Sequence, residues 1–313
     1  MSIQFSQLAA KVAEDGVVTP SELADLRQLG WGDGKIYREE AEAIFAINNT
    51  LKSRDDQWVD FFVEAISEFV LNGSEPRGMC DEDEAKWLIG ALDHDGKLDS
   101  MAELETLVRI VEKAQNVPDL LKNYALRQIE QAVLTGTGPT RCGGNLAACH
   151  ISAAECRLVR RLIFASGGHG PAAVSRHDAE FLFRLKDETL QEENAPQWDD
   201  LFVDGVANYL KGFALTNAQL DHARVKELES FIADNKPRVG RFVGAMAREL
   251  PQVHNHFGKV FGKKPEGQNY TEAAAAGNLV DDNEQVWLEK MIDNDGEVDD
   301  LERALLTRIM EEG

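Results

Sequence analysis

Apolar residues recur at intervals of three and four along most of this chain, and that spacing predicts helices almost throughout. Phe62, Ile66, Phe69 and Val70 keep this phase, as do Leu104, Leu107, Val108 and Val111. Strict alternation, the mark of a half-buried strand, is confined to two or three residues after certain glycines. Helix starts are marked by capping boxes. Thr19-Pro20-Ser21-Glu22 places proline at the first helical position, and Ser100 to Glu103, Ser152 to Glu155 and Asp299 to Glu302 repeat the pattern. In each, the cap oxygen accepts from a first-turn amide that has no partner within the helix, and the glutamate three residues on reaches back.

The same blocks occur twice in the same order. Thr19-Pro20-Ser21-Glu22-x3-Leu26-x2-Leu29 matches Ser152-Ala153-Ala154-Glu155-x3-Val159-x2-Leu162. Arg38-Glu39-Glu40-Ala41-Glu42-x-Ile44-Phe45 matches Arg176-His177-Asp178-Ala179-Glu180-x-Leu182-Phe183. Trp58-x-Asp60-x-Phe62-Val63 matches Trp198-x-Asp200-x-Phe202-Val203, and Trp87-x5-Asp93-x-Asp95-Gly96 matches Trp287-x5-Asp293-x-Asp295-Gly296. Large aromatic residues that pair off in this way occupy equivalent core positions. The expectation is an all-α protein of tandem duplicated helical domains: a first copy over residues 1–117, a connecting helix and linker over 118–149, and a second copy over 150–313.

The second copy is interrupted by an insertion at about 211–280, large enough to carry structure of its own. Its pattern predicts one helix from Asn217 to Asn235 and another from Pro237 to Leu250. Arg238, Arg241, Arg248, Lys259, Lys263 and Lys264 make it a basic stretch, and Arg241, Phe242, Phe257 and Phe261 are its candidate partner surface. His254-x-His256 follows Pro251 with neither carboxylate nor thiol at ligand spacing, so a polar loop is the expectation there rather than a transition-metal site.

Composition narrows the field of function. At 313 residues the chain is long enough for two domains with cores of their own. A net charge of -22 disfavours nucleic acid and anionic membranes as partners, because phosphate recognition begins with a basic face. No apolar run reaches the roughly 18 residues that a membrane helix needs, and Met1 to Lys11 lacks a signal-peptide pattern, so a cytoplasmic protein is expected. Cys80 stands alone, while Cys142, Cys149 and Cys156 lie seven apart rather than at zinc-ligand spacing. Ser166-Gly167-Gly168-His169-Gly170 lacks the lysine and preceding strand of a phosphate loop. No nucleophile, base and orienting group occur in a recognisable catalytic pattern, and the expectation is a protein without enzymatic activity.

The remaining candidates are the turns in which three aspartates surround a glycine. Asp93, Asp95 and Asp99 surround Gly96, and Asp293, Asp295 and Asp299 surround Gly296. With Asp-Gly, an apolar residue two on and a capped helix after it, these turns resemble the loop and exiting helix of an EF-hand. They are also similar to the TerB-like helical domain of tellurite-resistance proteins, an all-helical family associated with metals or with scaffolding. The EF-hand resemblance implies calcium or a similar divalent cation held by Asp293, Asp295, the Glu297 carbonyl, Asp299 and the closing Glu302. Met291 stands at the first ligand position of that loop. In the first copy the resemblance implies Asp93, Asp95 and Asp99, with Ala91 and Ala102 at the first and closing positions and Glu103 one step late. Asp-Gly turns followed by a cap also form without any metal. Two functions are therefore expected: a cation-binding helical protein, or a metal-free structural or protein-interaction module that uses the insertion.

Overall fold

The computed structural model describes residues 3–31, 34–93, 96–141, 148–165, 167, 173–210, 282–292 and 298–312. Its described elements are helical. They comprise α1 (Ile3–Asp15), α2 (Pro20–Gly30), α3 (Arg38–Thr50), α4 (Asp56–Asn72), α5 (Glu82–Leu92), α6 (Met101–Lys113) and α7 (Asp119–Thr135). After a short 3-10 turn at Pro139–Arg141 come α8 (Ala153–Ile163), α9 (Arg176–Thr189), α10 (Gln197–Leu210), α11 (Asp282–Ile292) and α12 (Asp300–Glu312). Among the described residues, β-structure is limited to isolated bridges such as that between Met79 and Asn116. No described helix is long and apolar enough to cross a membrane.

The chain divides into two compact units. Unit 1 is Met1–Ala148 with Ala165–Gly168, and unit 2 is Cys149–Phe164 with His169–Gly313. In unit 1, α4 packs along α6, α1 lies on α3, and α7 lies on α5 and α6. The helix expected to connect the halves, α7, thus lies within unit 1. In unit 2, α10 packs against α8, α9 and α12. The insertion 211–280, with Arg241, Phe242, His254, His256, Phe257 and Phe261, lies outside the described residues, and so does Cys142.

Local sequence explains where the helices begin. Thr19, Ser100, Ser152 and Ser175 each accept from the amide three residues on, and the acidic side chain at that position returns a bond to the cap amide. Asp299 and Glu302 form the same reciprocal pair at α12, with bonds of 2.9 and 3.0 Å. The acidic groups of these boxes are buried: Glu22, Glu103, Glu155, Asp178 and Glu302 are all less than a tenth exposed.

Aromatic residues assemble the two cores in parallel. In unit 1, Phe45 meets Phe62 at 5.4 Å and Trp87 at 5.8 Å, and Phe69 meets Trp87 at 5.0 Å. In unit 2, Phe183 meets Phe202 at 5.1 Å and Trp287 at 5.7 Å, and Tyr209 meets Trp287 at 4.8 Å. These pairs are edge-on, the geometry favoured by the ring quadrupole. Cys156 is buried on α8, and burial pushes its thiol up to about 12, as it does that of Cys80. Both act as small apolar residues.

Candidate functional site

The turn of unit 1 joins α5 to α6. Asp93 closes α5, and its carboxylate accepts from the Gly96 amide, while Gly96 takes a φ of +84° that a side chain rarely adopts. Beyond the glycine, the turn is clamped from outside by Gln128 of α7. Its carboxamide accepts from the Leu98 amide at 3.0 Å and donates to the Gly96 carbonyl at 3.0 Å. One side chain thereby satisfies a donor and an acceptor on either side of Lys97. Tyr124, also on α7, lies near Asp93, and burial together with that carboxylate raises its phenol above the usual range. Asp99 is exposed, and Asp95 lies outside the described residues.

The helix leaving this turn begins with a glutamate whose two oxygens are both committed. Glu103 Oε2 accepts from the amides of Asp99 at 2.7 Å and Ser100 at 3.0 Å. Its Oε1 accepts from Asn48 Nδ2 of α3 at 2.9 Å. Asn48 is fully buried, and its Oδ1 accepts from Trp58 Nε1 at 3.2 Å and Arg54 Nε at 2.9 Å. Arg54 also donates to the Asn48 backbone carbonyl. With donors on one side and a carboxylate on the other, only one orientation of this amide satisfies every bond. Asn48 is thus a neutral hub linking α3, α4 and α6.

In unit 2 the helix leaving the turn is α12. Glu302 Oε2 accepts from the Asp299 amide, and Oε1 accepts from Lys186 Nζ of α9 at 2.9 Å. The same ammonium bonds to Asp299 Oδ2 and to Asp187 Oδ1, so its three donors meet three carboxylates. The Lys186 side chain is 1% exposed and that of Glu302 2%. Burial opposes the lysine charge, but Asp187, Asp299 and Glu302 outweigh it and hold the ammonium above its ordinary pKa. Burial raises the Glu302 carboxyl, while Lys186 and the Asp299 amide pull it back. Asp293, Asp295 and Glu297 lie outside the described residues.

Asn48 and Lys186 occupy the same place in their helices, three residues after Phe45 and Phe183. Neither stood out as a site residue in the sequence, and Gln128 did not either. A signal was present: each of the first two is a polar residue on the apolar face of its helix, three residues after a core phenylalanine. Glu103 and Glu302 also occupy one role, the third helical residue of a capping box, although their distances from the turn glycine differ by one residue.

Among the described residues, no group of three or more His, Cys, Asp and Glu side chains is arranged to hold a metal ion. No family model, curated protein or solved structure matches this chain.

Proposed function

We propose that the chain is a tandem duplication of one helical module and works as a non-catalytic, metal-independent scaffold, with the Asp-Gly turns closed by the protein's own side chains. The observation that carries this reading is the placement of Glu103 and Glu302. In each unit the glutamate after the turn gives one oxygen to the cap and the other to a buried donor on the third or ninth helix. A carboxylate bound in this way has both oxygens engaged by donors of the protein, whereas a bidentate ligand offers both to the cation. Lys186 supplies in unit 2 the positive charge that a cation would otherwise bring, and Gln128 closes the turn of unit 1. The matched capping boxes and aromatic contacts support the duplication.

The scaffold's partner surface is the insertion, through Arg241, Phe242, Phe257 and Phe261, and a basic, aromatic stretch in an acidic chain suits an acidic protein partner. Calorimetric titration of the chelator-stripped protein with calcium tests the metal-independent part: no heat is expected at millimolar calcium. Calcium-dependent heat that disappears in Asp295→Ala would instead favour the EF-hand-like reading, with Asp293, Asp295, Glu297, Asp299 and Glu302 as ligands and the Asp93, Asp95 and Asp99 turn as its degenerate counterpart. Deleting residues 213–278 should remove captured partners and leave the helical circular-dichroism signal of the two units; unchanged partners would count against the insertion as the contact surface.

A further inference from the structure

We propose that positions 48 and 186 form a pairing code that keeps the two copies from exchanging their α6 and α12 helices. The inference rests on the duplication reading above. A chain that carries one module twice meets a specific hazard as it folds, because a helix from one copy can fill the groove meant for its counterpart and give misassembled or swapped species. The reciprocal bonds of the capping boxes and the aromatic seam do not by themselves discriminate, since both copies carry them.

The hubs do discriminate. On α3, Asn48 brings no charge and meets one carboxylate, Glu103, because the cap of α6 is the neutral Ser100. On α9, Lys186 brings a positive charge and meets two carboxylates of α12, because the cap there is Asp299. If α6 were set against α9, the ammonium would lose one of those carboxylates. If α12 were set against α3, Asp299 and Glu302 would enter a buried site with an amide where the lysine had been. Arg54 is already engaged by Asn48 Oδ1 and the Asn48 carbonyl. Burying charge without its partner is strongly unfavourable, so a mismatch excludes the wrong helix as firmly as a good contact selects the right one.

A second observation shows that unit 2 keeps its lysine at a cost. Trp58 donates its indole proton to Asn48 at 3.2 Å, whereas the matching Trp198, 1% exposed, has no hydrogen-bond partner for Nε1. The amide hub would satisfy that donor. The ammonium leaves it unmet and supplies specificity in exchange.

The test transplants the hub of unit 1 into unit 2 of the full chain. Lys186→Asn alone is expected to lower the thermal midpoint of unit 2 by at least about 6 °C, because Asp299 and Glu302 lose their cation. Adding Asp299→Ser should recover most of that loss, and the Trp198 indole proton resonance should shift toward that of Trp58 as the hydrogen bond forms. With both units now carrying one code, refolding from denaturant should yield at least about twofold less monomer than wild type, the remainder forming dimers or larger species. A double variant that is stable yet refolds as cleanly as wild type overturns the code. A double variant no more stable than the single one shows that the hubs are not equivalent, and so overturns the duplication reading instead.

Discussion

Replacing Lys186 by methionine removes the ammonium while keeping most of the side-chain volume, so the loss isolates the charge. Three bonds disappear, to Asp187, Asp299 and Glu302, and two of those carboxylates lie in the interior with side chains 12% and 2% exposed. Breaking a buried ion pair by deleting one partner costs about 3–5 kcal/mol, because the other charge stays behind. A volume-conserving apolar swap adds less than about 1.5 kcal/mol for imperfect packing. For a unit of this size each kcal/mol moves the midpoint by about 2–4 °C, so unit 2 should melt at least about 6 °C earlier. Differential scanning calorimetry of the full chain measures this, with hydrogen exchange at the α12 amides assigning the loss to unit 2. Adding Asp299→Asn and Glu302→Gln should return much of the stability, since a neutral set needs no cation. A Lys186→Met protein within about 1 kcal/mol of wild type would refute the reasoning, because a buried lysine held by three carboxylates cannot be that dispensable if its charge closes the turn.

Further perturbations probe both units. Gln128→Ala leaves the buried Leu98 amide and the Gly96 carbonyl without their clamp, and a loss of about 2–3 kcal/mol is expected in urea denaturation, with Tyr124 and the rest of α7 otherwise in place. Glu22 is held down to about 2 by Lys11, by the Thr19 hydroxyl and by the Thr19 amide, against the opposing effect of burial. A depressed carboxylate stabilises the fold above its ordinary value of 4.5, and that contribution fades as pH falls from 4.5 toward 2; the stability gap between wild type and Glu22→Gln should therefore close over that window. Lys186 behaves in the opposite sense. A raised ammonium contributes fully below 10.5 and is lost as pH climbs past it, so α12 amide protection should fall at strongly alkaline pH in wild type and show no such step in Lys186→Met. Gly167→Ala would set a Cβ 2.5 Å from the Val111 carbonyl oxygen, a backbone atom, and should break the bonds that Gly167 makes to Val111 and Val117, seen as faster exchange of the Val117 amide.

The sequence carried the helices and their starts because those depend on residues three or four apart. Thr19 with Glu22, Ser100 with Glu103 and Ser152 with Glu155 are local bonds that a reader of the chain can find. The large aromatic positions were legible for a different reason, since such residues belong in a core, and Trp58, Trp198 and Trp287 are buried. The closing contacts were not legible. Lys186 and Glu302 are 116 residues apart and Asn48 and Glu103 are 55 apart, and only the packing of α9 and α12 on α10, and of α3 and α6 on α4, brings them together. Counting from the turn glycine also placed Ala102 opposite Glu302, whereas the caps place Glu103 there, because helix α6 starts one residue later after its turn than α12 does.

Closure of the acidic turns by the protein's own side chains can be seen in a crystal structure of the full chain grown with calcium at millimolar concentration. Glu302 Oε1 is expected on Lys186 Nζ and Glu103 Oε1 on Asn48 Nδ2, with the distances near 2.9 Å that each pair shows here. A cation coordinated by Glu302 and the Asp293 and Asp295 carboxylates, with Lys186 displaced from the carboxylate it now holds, would contradict it.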